Sequence, residues 1–348
     1  MRDDLTGIRY PWEEAPAEGE AIEVAKGVLW IRLPLPMALD HVNIYALDEG
    51  DGWTVIDTGF SSKRCKDIWR GLMETGPLAG KPVTRLICTH HHPDHIGLAG
   101  WFQSEYGAEL WMTRTAWLMG RMLQLDEQAV PTQETLKFYR SCGMDEEVFR
   151  QRVSERPFNF SDVVDPMPVG YKRIKEGDIV EIGGRSWDVR IGNGHAPEHA
   201  TFWSRDDNLV LSGDQILPSI SSNIGVYATE PDADPVGEWL ESCERLAKFG
   251  RPDHLVLGGH KLPFTGLQLR MKQLADNHYG ALDRLLEHLD TPKTGGECFL
   301  PIFKRHIGGS AYGLALVEAI AHLNHLYHVG KVTRTAREGG AWLWQRKG

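Results

Sequence analysis

The chain has 348 residues, 41% hydrophobic and 25% charged, an ordinary globular composition with room for one large domain and a smaller one. Its net charge of −10 weighs against a general affinity for phosphate backbones, so nucleic acid is disfavoured as a partner while a local basic patch is left open. Residues 1–10 lack the apolar core of a signal peptide, and no apolar run approaches the roughly 20 residues of a membrane span, so a cytoplasmic location without membrane contact is expected.

Residues 1–20, rich in Pro, Glu and Ala, read as a lead-in. Strand signals follow at Ile22–Val24 and Val28–Ile31 around the turn Lys26-Gly27, then at Val42–Leu47 and Trp53–Asp57 around a glycine-bearing turn, a hairpin by its alternation. A helix is predicted over 61–75 behind Ser61-Ser62, with Ile68, Leu72 and Met73 on its apolar side. The short run Val83–Cys88 has strand length and composition. Leu98–Tyr106 reads as a second helix closed by Gly107. Cys65, Cys88, Cys142, Cys243 and Cys298 are scattered and read as reduced thiols, Cys88 as a small core residue.

Between 113 and 168 the pattern is helical but broken, and it reads as an inserted helical lid. Trp117, Leu118, Met122 and Leu125 share one face; Pro131-Thr132 starts a segment with Leu136 and Tyr139; Asp145 caps another with Val148, Phe149 and Val153. Strands resume at Ile179–Ile182 and Trp187–Ile191, then at Thr201–Trp203 and Leu209–Leu211. Two β runs, each followed by helices, predict an α+β fold, a four-layer αββα sandwich with its site in the loops at one edge. Beyond His260 the composition changes: Gly266–Leu289 and Leu314–Tyr327 are helical, and Lys331–Arg334 and Ala341–Trp344 flank Glu338-Gly339-Gly340. The expected domains are 1–264 and 265–348.

The stretch Thr89-His90-His91-His92-Pro93-Asp94-His95 follows the Val83–Cys88 strand. If the loop turns sharply, as His-Pro and Gly97 favour, His90, His92, Asp94 and His95 face one small volume, with the nitrogen and oxygen donors of a metal site. In an extended segment residues 90 and 92 share a face and His91 takes the other, so His91 is the expected non-ligand. Composition alone leaves a His-rich surface loop as the alternative.

The pattern His-x-His-x-Asp-His resembles the signature of the metallo-β-lactamase superfamily. Further segments match it in order: Val55-Ile56-Asp57-Thr58-Gly59 upstream, then Gly194-His195-Ala196-Pro197-Glu198-His199, Leu211-Ser212-Gly213-Asp214 and Leu257-Gly258-Gly259-His260. The helices and two-stranded wing after residue 265 resemble the small winged-helix domain of some members, the glyoxalase II-like branch. The resemblance implies one ion at His90, His92 and His195, another at Asp94, His95 and His260, and Asp214 bridging them. Asp57 would accept a ring N–H from a ligand histidine, and His199 would support the ligands or fill the core. Zinc is the first expectation, with iron or manganese open.

The implied function is a dinuclear metal-dependent hydrolase in which a metal-bridging hydroxide, oriented by Asp94, attacks the carbonyl of a thioester, ester or lactone in a small acyl substrate. Asn43, Asn223 and Tyr227 lie on segments expected to reach that substrate. Aspartate at 214 argues against the branch of zinc β-lactamases with cysteine there, and His92 against the di-iron flavoproteins with glutamate. The wing is expected to serve packing or homodimer formation ahead of nucleic-acid reading. Alternatives are a metal-dependent ribonuclease or phosphodiesterase, a mononuclear iron persulfide dioxygenase using His90, His195 and Asp214, and a binding module with a structural metal.

Overall fold

A short antiparallel pair, β1 (Arg2–Asp3) and β2 (Arg9–Tyr10), leads into a seven-stranded sheet in the computed structural model, which describes residues 2–3 and 7–348. In spatial order the sheet is β3 (Ala21–Ala25), β4 (Val28–Pro34), β5 (His41–Asp48), β6 (Trp53–Ile56), β7 (Val83–Ile87), β8 (Glu109–Met112) and β9 (Lys172–Arg173). Neighbours are antiparallel from β3 to β6 and parallel from β6 to β9. Parallel neighbours need crossovers, and helices supply them. The connection from β6 to β7 carries α1 (Lys63–Glu74); that from β7 to β8 carries α2 (Pro93–Ile96) and α3 (Ala99–Tyr106).

The ends of these helices follow from single residues. Ser62 caps α1 by accepting the Cys65 N–H at 3.1 Å, and the helix buries Cys65, Ile68, Trp69 and Leu72. Gly107 closes α3 at φ +70, where its N–H donates to the carbonyls of Gln103 and Phe102.

A second, five-stranded sheet follows: β10 (Ile179–Ile182), β11 (Arg185–Gly192), β12 (His199–Ser204), β13 (Leu209–Gly213) and β14 (Leu255–Gly258). Alternation on the strands sorts the core into two layers. Trp30, Tyr45, Leu47 and Ile56 of the first sheet pack against Trp187, Val189, Phe202, Leu211 and Leu257 of the second. The opposite face of the first sheet, with Ile31, Leu33, Ile44 and Val55, packs against Trp69 and Leu72 of α1 and Trp101 and Phe102 of α3. This is a helix-covered α+β sandwich, with one sheet face buried on the other.

Two compact units emerge. One comprises residues 1–127, 159–222 and 246–271 and holds both large sheets; the other comprises 128–158, 223–245 and 272–348. Residue 264 therefore lies inside the first unit, and the segment 113–168 does not stay together: α4 (Arg114–Leu125) groups with the sheets, α5 (Gln133–Ser141) and α6 (Glu146–Ser154) with the other unit. Of the apolar face expected on α4, Trp117 packs against the core and the other three residues point outward. Leu118, Met122 and Leu125 are 52%, 44% and 63% exposed, whereas Ala116 and Gly120 are buried, Gly120 where a side chain would meet Ile96 Cδ1 at 2.7 Å. A helix that must lie close to a loop turns its small residues inward, whatever apolar residues it carries elsewhere.

Within the second unit, Asp145 caps α6 by accepting the N–H groups of Glu147 and Val148. Beyond α7 (Pro235–Ala247), α8 (Leu267–His288) and α9 (Phe299–Phe303), the long α10 (Tyr312–His328) precedes the antiparallel pair β15 (Val332–Ala336) and β16 (Trp342–Arg346). Among the described residues no helix is long and apolar enough to cross a membrane.

Candidate metal centre

Asp57 follows β6 directly and β7 runs beside that strand into the histidine loop, so the two parallel strands deliver the carboxylate and the imidazoles to one edge of the sheet. Asp57 adopts φ +64, uncommon for a residue with a side chain, and is held there by its N–H donating to Ile87 O at 3.0 Å. Its carboxylate accepts from the Thr89 N–H at 2.8 Å, from the Thr89 hydroxyl at 2.9 Å and from His95 Nδ1 at 2.8 Å. With the Thr89 hydroxyl donating to Asp57, its oxygen accepts from His90 Nδ1 at 3.0 Å. One buried carboxylate thereby fixes the tautomers of His90 and His95 and leaves Nε2 of both as lone-pair donors.

His92 is the residue before α2, whose first turn carries Pro93 and Asp94 and whose last turn carries His95. The other ligand candidates come from the second sheet. His195 sits in the loop between β11 and β12, Asp214 follows β13 and His260 follows β14. Close approach at this edge depends on glycine. Gly213 has φ +47 and a Cβ on it would stand 2.6 Å from His199 Cε1; a Cβ on Gly259 would strike Asp214 Oδ1 and stand 2.9 Å from His95 Cε1.

The structure brings His90, His92 and His195 together in one group and Asp94, His95 and His260 in another, with ligand atoms in each within 4.8 Å of one another. His90, His95 and Asp214 form a third such group that joins the two. Asp214 Oδ2 lies 3.6 Å from His195 Nε2, 3.5 Å from His95 Nε2 and 3.2 Å from His260 Nε2. His90 Nε2 and His92 Nδ1 are 3.0 Å apart. His91 belongs to none of the groups; its buried ring lies parallel to Phe160.

The electrostatics differ between the groups. Burial and then the surrounding imidazoles push His90 and His92 well below the ordinary imidazole range, so both are neutral donors. Burial opposes charge on His95 too, but the carboxylates of Asp94, Asp214 and Asp57 outweigh it and hold its pKa well up. Asp214 and Asp94 do the same at His260, again against burial. Burial would protonate Asp214, yet His260 and His95 hold its carboxyl well below the usual range. The pocket therefore sets the neutral nitrogens of His90 and His92 beside carboxylates that favour positive charge at His95 and His260, a field that favours cations. His95 Nε2 and Asp214 Oδ1 are buried without a hydrogen-bond partner among the described residues, an arrangement costly unless something else satisfies them. Donor types, clustering and orphaned atoms all fit metal ions.

Two other expected residues, His199 and Asn43, lie beside this core. His199 accepts the Asp214 N–H at 3.0 Å and stacks on His90 with centroids 4.5 Å apart, so it braces both ligands from behind. Asn43 is buried with its amide donating to the carbonyls of Gly258 and Lys261, a brace for the His260 loop. Asn223 and Tyr227 belong to the other unit, where the Asn223 amide donates to Glu318 at 2.7 Å. Sequence reasoning missed Thr89, although it adjoins His90, and Glu198, at φ +50, whose carboxylate accepts the Thr115 N–H at the start of α4 at 2.6 Å.

A family model described as "Metallo-beta-lactamase superfamily" matches residues 37–260, a span running from before β5 to the last ligand candidate. The chain belongs to the metallo-beta-lactamase superfamily. A second model, "Metallo-beta-lactamase-like, C-terminal domain", matches residues 282–347. Among solved structures, a beta-lactamase domain protein from Burkholderia ambifaria is 34% identical with a TM-score of 0.90, covering 99% of this chain and 100% of that one. A metallo-beta-lactamase family protein from Thermus thermophilus is 26% identical with a TM-score of 0.78, over 93% and 100%. Among curated relatives, a probable metallo-hydrolase of Bacillus subtilis is 24% identical over 86% of this chain and 92% of its own. An acyl-coenzyme A thioesterase of Gallus gallus is 24% identical over 73% and 84%.

Proposed function

We propose that this superfamily member is a dinuclear metal-dependent hydrolase acting on the carbonyl of a thioester, ester or lactone, with zinc as the first candidate metal. The observation that carries this reading is the position of the Asp214 carboxylate, within 3.6 Å of histidines from both groups, so that one side chain can serve two ions. His90, His92 and His195 would hold one ion, and Asp94, His95 and His260 the other. Bound metal supplies Lewis acidity, which lowers the pKa of water toward neutrality and polarises an acyl oxygen.

The protein's own groups do the remainder. Asp57 and Thr89 orient the imidazoles. Asp94 has a 17% exposed side chain against 8% for Asp214, which makes it the carboxylate available to orient an incoming water and take up its proton. The 24% identity to an acyl-coenzyme A thioesterase supports thioesters as the first substrates to try.

The test is turnover of a panel of acyl-coenzyme A, acyl-glutathione and lactone substrates by the purified protein, before and after chelation and with zinc restored. Metal-dependent cleavage of any of them is expected. Absence of metal-dependent cleavage across the panel overturns the reading, and phosphodiester turnover in its place would favour the nuclease alternative.

A further inference from the structure

We propose that His41 is a positioning residue for the Asp94–His95–His260 metal position, acting through the loop that carries His260. The proposal rests on the metal-centre reading above and deepens it.

Residues 41, 43 and 45 share one face of β5, and all three bond to the loop between Gly258 and Lys261. Asn43 Nδ2 donates to Gly258 O at 2.9 Å and Lys261 O at 2.7 Å, and the Tyr45 hydroxyl donates to Gly258 O at 2.9 Å. The Asn43 backbone N–H donates to Gly259 O at 2.7 Å, and His41 makes two further connections. Its Nε2 accepts the Lys261 N–H at 2.9 Å, and its backbone carbonyl accepts from His260 Nδ1 at 2.7 Å. Its own tautomer is set from the other side, since Nδ1 lies 2.6 Å from Asp40 Oδ1 and can only donate to it. A hydrogen-bonded series thus runs from an 82% exposed carboxylate, through a buried imidazole, to the residue after a ligand.

The bond to Lys261 matters because of that residue's backbone. Lys261 has φ +67, a conformation that residues with side chains rarely adopt and that persists only where neighbours over-determine it. Here the N–H is held by His41 and the carbonyl by Asn43 and by Arg32, whose Nη2 donates at 3.2 Å. Release of the N–H lets the loop leave this strained state, and His260 moves with it. His260 Nε2 now lies 3.2 Å from Asp214 Oδ2 and 3.4 Å from Asp94 Oδ2. His90, His92 and His195 hang from other loops, so His41 acts selectively on one of the two positions.

The experiment is a competition titration of the metal-stripped full-length protein with zinc against a chromophoric chelator, with thermal unfolding to establish folding. The wild type is expected to take up two equivalents. His41→Leu should weaken one equivalent by about 10-fold or more, the usual scale for losing a support behind a ligand, and leave the other unchanged. His41→Gln, whose amide oxygen can accept the Lys261 N–H, should recover most of that loss. Asp40→Ala, at an exposed position, should weaken the same equivalent less, and it decides the matter if His41→Leu does not fold. Unchanged affinity for both equivalents in the folded variants overturns the proposal, as does equal weakening of both. A wild type that binds no metal overturns the metal-centre reading itself, and the proposal with it.

Discussion

Asp57 serves more of the centre than any single ligand does, because its carboxylate meets Thr89 and His95 directly and reaches His90 through the Thr89 hydroxyl. Asp57→Asn keeps the shape but removes the charge and puts an amide where an acceptor is needed. Metal affinity should fall about 10- to 100-fold with the fold retained, measured by the same zinc titration. Thr89→Val removes the hydroxyl between two buried polar groups, and chemical denaturation should show a loss of about 1–3 kcal/mol. The candidate ligands were legible because His-x-His-x-Asp-His is compact, and strand ends followed by loops place such residues at a sheet edge. Their supports were not. His41 meets Lys261 across 220 positions, and that separation leaves no local pattern to read.

Glycine at the loop entries is the corresponding feature of the elements. Gly213→Ala would have to fit its methyl against the His199 ring while holding a left-handed φ of +47. Overpacking of that kind costs about 1–3 kcal/mol, and because Asp214 is the next residue, zinc uptake should fall as well. By contrast, Ser62→Ala removes only the cap of α1, and denaturation should report about 1 kcal/mol with zinc uptake unchanged. Caps and hairpins were readable because Ser, Asp and Gly act within a few residues. The two-residue β9 was not, since Lys172–Arg173 carries no periodicity; nor was the inward face of α4, where close packing against Ile96 outranks hydrophobicity. Membership of α5 and α6 in the C-terminal unit depends on contacts made far along the chain, such as the Asp145 N–H donating to the Tyr312 hydroxyl at 2.8 Å.

At the scale of the molecule, the seam between the sheets and one carboxyl in the C-terminal unit set distinct dependences. Trp187 is fully buried between the sheets, and Trp187→Ala should cost about 3–5 kcal/mol by denaturation. Burial raises Glu318 to about 7, partly offset by the Asn223 amide. Its folded pKa lies above the unfolded value, so it lowers stability progressively as pH rises through that interval and adds no further change above about 7. Glu318→Gln should flatten this part of a melting-temperature profile against pH and raise stability at pH values above the interval. Ligand candidates follow β7 of one sheet and β13 and β14 of the other, so each bound cation would act as a cross-brace over a seam otherwise closed by apolar contact and by hydrogen bonds such as those from Asn43 and Tyr45 to Gly258 O. Stripping bound metal should therefore speed amide hydrogen exchange first where the layers face each other at this rim, while the far ends of the strands stay protected, coupling metal occupancy to mechanical cohesion.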